Sequence, residues 1–263
     1  MSKVNHMISV AGRKILLALL AVASLNPVLA KAQSEMQKPI DIVLVHGAFT
    51  DGSSWSKVIT LLHQKGYRVT AVQNPLTSLE ADVTATTRVI ERQPHDVLLV
   101  GHSWGGAVIT EAGNHSKVRG LVYVSALAPD SGESVGQLLE RLHAPMQGMA
   151  PDSNSLVWLD EPGAFSKVMA NDVDPGELPG LVAVQQPIAA TAFGEKIGRA
   201  AWHDKPSWYL ITEGDHALPT PVQRKLAAMT GAHTVEIRSS HMSLVSHPDA
   251  VAELIDQAAR MVH

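Results

Sequence analysis

The chain has 263 residues, of which 45% are hydrophobic and 17% are charged, and its formal net charge at pH 7 is -4. This length allows one large domain with a substantial core, and the composition excludes a disordered or fibrous protein. Acidic and basic residues are interspersed, which argues against a nucleic-acid-binding surface, and the absence of cysteine excludes disulfides, thiolate metal sites and a cysteine nucleophile.

Residues 1–32 have the pattern of a secretory signal. Basic residues precede the apolar run ILLALLAVA at 15–23, and small residues follow at 30–32. This order is typical of a cleavable signal, and the apolar run is much shorter than the roughly 20 residues that span a bilayer. We predict cleavage after Ala32 and export to a bacterial periplasm or beyond, without a stable membrane anchor.

The mature chain alternates apolar runs with helical periods. The apolar runs predict strands at 41–47, 67–73, 96–101, 118–126, 207–212 and 233–239. The helical periods between them predict helices at about 54–65, 80–92, 104–114, 220–230 and 248–262. Several strands are apolar on both faces, as in a parallel sheet that is covered by helices. We therefore predict an α/β fold that is built on a doubly wound sheet.

The stretch GHSWG at 101–105 directly follows the third predicted strand and precedes a helical period. Ligands of open α/β sheets bind beyond the carboxyl ends of the strands, and Ser103 would stand at that edge. A sharp turn from strand to helix would crowd the backbone, and glycine at positions 101 and 105 relieves the crowding. The pattern predicts a nucleophile elbow with Ser103 as the nucleophile, at a helix N-terminus that favours developing negative charge.

Residues 130–205 interrupt the alternation with many prolines and glycines and no clear strand. Because so long a structureless loop would be improbable in a compact domain, we predict a helical cap that is inserted over one end of the sheet. Several of its side chains could line an apolar substrate pocket or form the cap's own core: Leu142, Met146, Met149, Trp158, Phe165, Met169, Phe193 and Trp202.

A serine nucleophile needs a base that removes its proton. His241 follows the last predicted strand, on a loop at the same edge of the sheet as Ser103, and we predict it as the base. His247 is the nearest alternative, but it precedes Pro248 at the start of a helix and is better explained as a surface or capping residue. The remaining histidines, His143 among them, are predicted to be solvated or partly packed.

The base in turn needs an acid that fixes its tautomer and stabilises its charged form. Asp215 follows the strand at 207–212 and satisfies the chain order serine, acid, histidine, so we predict it as the acid. Two alternatives remain open at this point. Glu213 lies on the same loop, and Asp130 follows the strand after the elbow.

The oxyanion of a tetrahedral intermediate needs a pair of hydrogen-bond donors. The predicted donors are the backbone N–H of Trp104, directly after the serine, and that of Ala48 in the loop HGAF at 46–49. His46 is predicted to stiffen this loop by hydrogen bonding, although an ordinary packed histidine explains the pattern nearly as well. No metal or organic cofactor is expected, since the sequence has no convincing metal-ligand spacing and no phosphate loop.

With these elements in order, the chain resembles the α/β-hydrolase superfamily over about residues 40–262. The matching segments are VLVHGAFTDGSSW, VLLVGHSWGGAV, YLITEGDHALP and SSHMSLVSHPDAV. The resemblance implies a triad and two oxyanion amides from Ser103, Asp215, His241, Ala48 and Trp104. It also implies a six-stranded, mostly parallel sheet, because too few residues precede Asp41 for the first two strands of the full family sheet.

Within the superfamily, the HGA opening, the GHSWGG elbow and the HM pair at 241–242 are similar to the plant methylesterase and hydroxynitrile lyase branch and its bacterial relatives. The lyases of that branch have a threonine and a lysine where this chain has Gly47 and Met242. Haloalkane dehalogenases and epoxide hydrolases have an aspartate where this chain has Ser103. The resemblance therefore implies ester hydrolysis rather than these other reactions.

The expected activity is the hydrolysis of carboxylic esters of small to medium apolar substrates, through an acyl-enzyme on Ser103. The same triad would also serve a lactonase, a thioesterase or a perhydrolase. A hydrolase fold can also act as a ligand-binding protein with little turnover, because the fold alone does not determine the function.

Overall fold

The computed structural model describes residues 39–144 and 150–262. The predicted secretory signal and its cleavage site, as well as Met146 and Met149 of the predicted cap, lie outside these residues. Within the described ranges, no helix is both long enough and apolar enough to cross a membrane.

The strands of the described chain are, in order, β1 (Ile40–Val45), β2 (Val69–Ala71), β3 (Asp96–His102), β4 (Val118–Val124), β5 (Leu156–Val157), β6 (Ile188–Ala189), β7 (Ser207–Thr212) and β8 (His233–Ile237). A six-stranded sheet has the order β2-β1-β3-β4-β7-β8, and all of its neighbouring strands pair in parallel. The predicted six-stranded sheet is thus confirmed, and it is entirely rather than mostly parallel.

The helices are α1 (Ser56–Gln64), α2 (Leu79–Arg92), α3 (Gly105–Ala112), α4 (Val135–Arg141), α5 (Pro162–Val168), α6 (Leu178–Ala183), α7 (Thr220–Met229), α8 (Ser243–Ser246) and α9 (Pro248–Met261). The five helices predicted from the sequence correspond to α1, α2, α3, α7 and α9, and their ends agree within two residues. The short helix α8 was not predicted, because its four residues are too few to show a helical period.

Alternate residues along each central strand belong to two separate apolar clusters. In β3, for example, Val97 and Leu99 pack in the cluster that contains α2, α3 and α7, whereas Leu98 and Val100 pack in the cluster that contains α1 and α9. Because a strand points successive side chains to opposite faces, both faces of the sheet are buried. The sheet is therefore doubly wound, and its strand ends are the parts left open to a ligand.

The chain between β4 and β7 is not purely helical. It contains α4, α5 and α6, but β5 and β6 also form a separate antiparallel pair. This pair was not predicted, because strands of two residues leave no alternation to detect. The same part of the chain contributes several residues to the cavity described below.

Candidate active site

Ser103 stands in the turn between β3 and α3 with a φ of 51°, in the left-handed region that non-glycine residues rarely adopt. The neighbouring glycines make this turn possible. A Cβ atom on Gly101 would lie 2.5 Å from the carbonyl oxygen of Gly105, and one on Gly105 would lie 2.5 Å from that of Val45. The crowding that the sequence pattern predicts is therefore present on both sides of the serine.

The side chains of His241 and Asp215 form a buried pair, with His241 Nδ1 2.7 Å from Asp215 Oδ2. A carboxylate only accepts hydrogen bonds, so the Nδ1 atom carries the proton of the neutral imidazole. The Nε2 atom then keeps its lone pair. This is the tautomer that a general base requires.

Four further donors hold the carboxylate of Asp215. Its Oδ1 atom accepts from the backbone N–H groups of Ala217 and Leu218, at 2.8 and 2.7 Å. Its Oδ2 atom accepts from Thr212 Oγ1 and Gln223 Nε2, each at 2.9 Å. The orientation of the carboxylate is thus set by β7, by α7 and by the loop between them, independently of the histidine.

Ser103 and His241 line the same cavity, which has a volume of about 560 Å³. Its walls are mostly apolar, and its polar side chains are those of Ser103, His143, His216 and His241. No Asp, Glu, Lys or Arg of the described residues lines it. His143 and His216 were not predicted to face a cavity, because neither follows a motif that the sequence makes recognisable.

The candidate pocket residues of the cap divide into two groups. Met169 and Phe193 line the cavity. Leu142, Phe165 and Trp202 are buried and do not line it, whereas Trp158 is 41% exposed. Half of the six described candidates therefore belong to the two apolar clusters rather than to the cavity wall.

The alternatives to the acid and the base lie elsewhere. His247 Nδ1 is 3.0 Å from Ser246 Oγ, and His247 does not line the cavity. The carboxylate of Asp130 lies 2.7 Å from His203 Nε2, and that of exposed Glu213 is 3.7 Å from Arg224. Of the acids considered, the structure places only Asp215 against His241.

Ala48 and Trp104, whose amides were predicted to bind the oxyanion, also line the cavity. In the described chain, neither backbone N–H has a hydrogen-bond acceptor. Both amides thus lack an acceptor within the described chain, as the predicted role requires. The loop after β1 lies close to the turn that contains Ser103, since a Cβ atom on Gly47 would lie 2.7 Å from Ser103 Cβ.

His46 makes the stiffening contacts that the sequence predicts. Its Nδ1 atom lies 2.8 Å from the carbonyl oxygen of Gly47, and its Nε2 atom accepts from the backbone N–H of Asn74 at 2.9 Å. Burial lowers the pKa of His46, which favours the neutral ring that this pattern needs. The imidazole thereby joins the loop after β1 to the loop after β2.

His102, directly before the nucleophile, is a further structural link that the sequence analysis missed. It is fully buried, and its Nε2 atom lies 2.9 Å from the backbone carbonyl oxygen of His241. Burial keeps the pKa of His102 well below its ordinary value, so the ring is neutral and donates from Nε2. The residue before the serine thus holds the backbone of the predicted base.

Asp82 of α2 supports the residue after the nucleophile. Its buried carboxylate accepts from Trp104 Nε1 at 2.8 Å and from the backbone N–H of Leu76 at 2.8 Å. Burial raises the pKa of Asp82 to about 6, although both hydrogen bonds act in the opposite direction. An acid in the first turn of a helix is normally explained by the helix dipole, so the sequence alone did not identify this role.

This raised pKa predicts a pH-dependent cost of folding. The Asp82 carboxyl of the unfolded chain ionises around its ordinary pKa of 3.8, whereas the folded chain keeps the proton until the pH approaches 6, so stability is lost as the pH rises through this range. The difference between about 6 and the ordinary 3.8 corresponds to about 3 kcal/mol, which the folded state loses by pH 7. About 1 kcal/mol of this loss has already occurred at pH 4.5. Asp82→Asn removes the titration, so its free energy of unfolding relative to wild type should rise by about 2 kcal/mol between pH 4.5 and 7.5.

Urea unfolding at the two pH values measures this difference. Asp249→Asn, at an exposed position in the first turn of α9, is the matched control and should show no such change relative to wild type. A difference between Asp82→Asn and wild type that is the same at both pH values would contradict the prediction.

A family model and two related proteins indicate the same family for this chain. A family model described as the alpha/beta hydrolase family matches residues 42–254. The chain is 31% identical to alpha/beta hydrolase nvfD of Aspergillus novofumigatus, over 85% of this chain and 98% of that protein. It is 25% identical to putative methylesterase 11, chloroplastic, of Arabidopsis thaliana, over 83% of this chain and 64% of that protein.

A solved structure extends the likeness to three dimensions. The crystal structure of a pyrethroid hydrolase from Sphingobium faniae JZ-2 superposes with a TM-score of 0.73 at 24% identity, and the match covers 84% of this chain and 98% of that one. At this identity the likeness concerns the fold. It agrees with the parallel sheet and the strand order described above.

Proposed function

Because the chain belongs to the alpha/beta hydrolase family and is a carboxylesterase-like hydrolase, we propose that it cleaves esters of small to medium apolar substrates through an acyl-enzyme on Ser103. The observation that carries the proposal is the buried hydrogen bond between His241 and Asp215, beside a cavity that Ser103 also lines. A serine, an imidazole with a free Nε2 and a fixed carboxylate are the parts that nucleophilic acyl transfer requires.

In the proposed mechanism, His241 Nε2 takes the proton of Ser103 as its Oγ atom attacks the ester carbonyl. The carbonyl oxygen becomes an oxyanion that accepts from the N–H groups of Ala48 and Trp104. The C–O bond to the alcohol then breaks, and the alcohol leaves with the proton from His241. Water attacks the acyl-enzyme, again with His241 as base, and releases the acid and the free serine.

The cavity supports an uncharged substrate. A volume of about 560 Å³ is in the range of pockets that bind small organic molecules. Since no formally charged side chain of the described residues lines the cavity, a charged acyl group would lose its hydration without gaining an ionic partner. Apolar acyl groups gain about 0.8 kcal/mol for each methylene that is buried.

A series of p-nitrophenyl esters from acetate to palmitate tests the proposal. We expect kcat/KM to rise from acetate to hexanoate by about three- to fourfold for each added methylene, and to fall once the chain exceeds the cavity. The p-nitrophenyl monoester of succinate, which carries a negative charge, should be poorer than butyrate by about tenfold or more. Absence of turnover over the whole series would contradict the esterase proposal.

A comparison of kcat/KM among substrates distinguishes ester hydrolysis from lactone and thioester hydrolysis. A γ-lactone and an acyl thioester of matched chain length are compared with the butyrate ester. If kcat/KM is higher for the lactone or the thioester than for the ester, Ser103 remains the proposed nucleophile and the proposed substrate class changes. Tight binding of the esters without hydrolysis would instead favour a ligand-binding protein.

A further inference from the structure

The residues on both sides of Asp215 are held by one segment of the chain between β4 and β7. This segment, the 167–172 segment, includes the end of α5. The backbone carbonyl oxygen of Lys167 lies 2.9 Å from His216 Nδ1, and Asn171 Nδ2 donates to the carbonyl oxygen of Gly214 at 3.1 Å.

The same segment also holds the residues on both sides of His241. The backbone N–H of Met242 donates to the carbonyl oxygen of Met169 at 3.1 Å. The backbone N–H of Ser240 donates to Asp172 Oδ2 at 2.9 Å. One short segment therefore contacts all four residues that flank the acid and the base.

Two residues of the 167–172 segment anchor it to the core. Met169 and Ala170 are buried, together with Phe165 before them and Val173 after them, in the apolar cluster on the α1 and α9 face of the sheet. Met169 also lines the cavity. Lys167, Asn171 and Asp172 are exposed, so the segment is a surface stretch of the cavity wall that its buried residues anchor to the core.

Asp172 is a charged acceptor in this arrangement. Burial acts to raise its pKa, but hydrogen bonds from Ser240, and also from Ser246 and Ser239, outweigh burial and lower the pKa below its ordinary value. His247 Nδ1 approaches the carboxylate at 3.4 Å. A hydrogen bond to an ionised carboxylate is stronger than one to a neutral acceptor, so the Ser240 N–H is firmly held.

We propose that Asp172 is a positioning residue, which fixes the backbone at Ser240 and thereby the direction of the His241 imidazole towards Ser103. The proposal rests on the proposed function in that it takes His241 as the base. A displacement of about 1 Å between catalytic groups can lower the rate by about 100-fold. The contact between Asp172 and Ser240, one residue from the base, can therefore affect the rate.

The four contacts differ in how they can be tested. Lys167 and Met169 contribute backbone carbonyl groups, which no substitution removes. Asn171 and Asp172 contribute side chains, and only Asp172 acts on the neighbour of the base. Asp172→Asn keeps an oxygen acceptor for the Ser240 N–H, Asp172→Ala removes it, and Asp172→Glu displaces it by one methylene.

Two measurements on the full chain test the proposal together. The first is kcat and KM with p-nitrophenyl butyrate, and the second is the downfield proton NMR signal of His241 Nδ1–H, which reports its hydrogen bond to Asp215 without any turnover. We expect Asp172→Ala and Asp172→Glu to lower kcat by about 10- to 100-fold with KM changed less than about threefold, and to shift or broaden the signal.

Asp172→Asn should stay within about threefold of wild type in kcat and keep the signal, because the acceptor is retained. Asp174→Ala is the matched control, since the carboxylate of Asp174 accepts from the backbone N–H of Gly176 and touches neither loop. It should behave as wild type. Thermal unfolding of each variant identifies any general loss of folding.

The proposal is overturned if Asp172→Ala and Asp172→Glu both fold and keep the wild-type kcat and NMR signal. It is also overturned if Asp172→Asn is as impaired as Asp172→Ala in both measurements. If the wild-type chain shows no turnover at all, the proposed function fails, and the NMR comparison among the four variants still decides whether Asp172 positions the imidazole.

Discussion

Replacing Ser103 with alanine is expected to lower kcat/KM for p-nitrophenyl butyrate by about 10⁵- to 10⁶-fold. The variant lacks the atom that forms the acyl-enzyme, and only the two amides and the cavity remain to assist attack by water. Alanine keeps the same backbone and a Cβ atom, so the strained φ of 51° is neither relieved nor worsened. We therefore expect the melting temperature to remain close to that of wild type.

Ser116→Ala is the control for this measurement. Ser116 is exposed on the loop between α3 and β4, away from the cavity residues, and its replacement should leave the kinetics unchanged. A folded Ser103→Ala variant that retained a tenth or more of the wild-type kcat/KM would contradict the proposed mechanism.

Replacing Asp215 with asparagine is expected to lower kcat by about 10³- to 10⁴-fold. The asparagine oxygen would keep the bonds from the N–H groups of Ala217 and Leu218, which leaves the NH₂ group facing His241 Nδ1. The imidazole must then accept at Nδ1 and carry its proton on Nε2. In that tautomer it cannot take the proton of Ser103.

The same substitution should also destabilise the fold. The new NH₂ group would face two donors, Thr212 Oγ1 and Gln223 Nε2, which now bond to Asp215 Oδ2 at 2.9 Å. A buried donor left without an acceptor costs about 1–3 kcal/mol. Urea unfolding measures this loss of stability. The pH dependence of kcat measures the loss of the productive imidazole tautomer separately.

Glu213→Gln and Asp130→Asn are the controls, because the sequence left both carboxylates open as candidates. Neither side chain contacts His241, so both variants should keep the wild-type kcat. An Asp215→Asn variant with unchanged kcat, or an Asp130→Asn variant that lost as much, would assign the acid differently.

The sheet, and the order of the site residues along the chain, were predictable because the sequence patterns that indicate them are local. β3 is apolar on both faces, and the glycines around Ser103 act within two residues of it. The loops of Asp215 and His241 each follow a strand of the same parallel sheet, so their common edge follows from topology. The resemblance to the methylesterase branch implies the pairing of these loops, and a putative methylesterase is among the relatives found.

The contacts that support the site were not predictable, because the residues that form them are far apart in the sequence. Asp82 and Trp104 are 22 residues apart, and Asp172 and Ser240 are 68 residues apart, with no periodic pattern linking either pair. The segment predicted as a cap has few regular elements, so its sequence does not show which apolar residues face the cavity. Thus Met169 and Phe193 could not be distinguished beforehand from the buried or exposed members of the same set.

Labelling with an alkyl fluorophosphonate tests the central claim, that Ser103 is the nucleophile, most directly. The serine oxygen displaces fluoride from phosphorus, and trypsin then releases the peptide of residues 93–117 for mass spectrometry. We predict one phosphonyl group for each chain, located at Ser103, with loss of ester hydrolysis in proportion to labelling. Hydrolysis that persists in the fully treated protein without a label at Ser103, or a label at another residue that abolishes it, would contradict the claim.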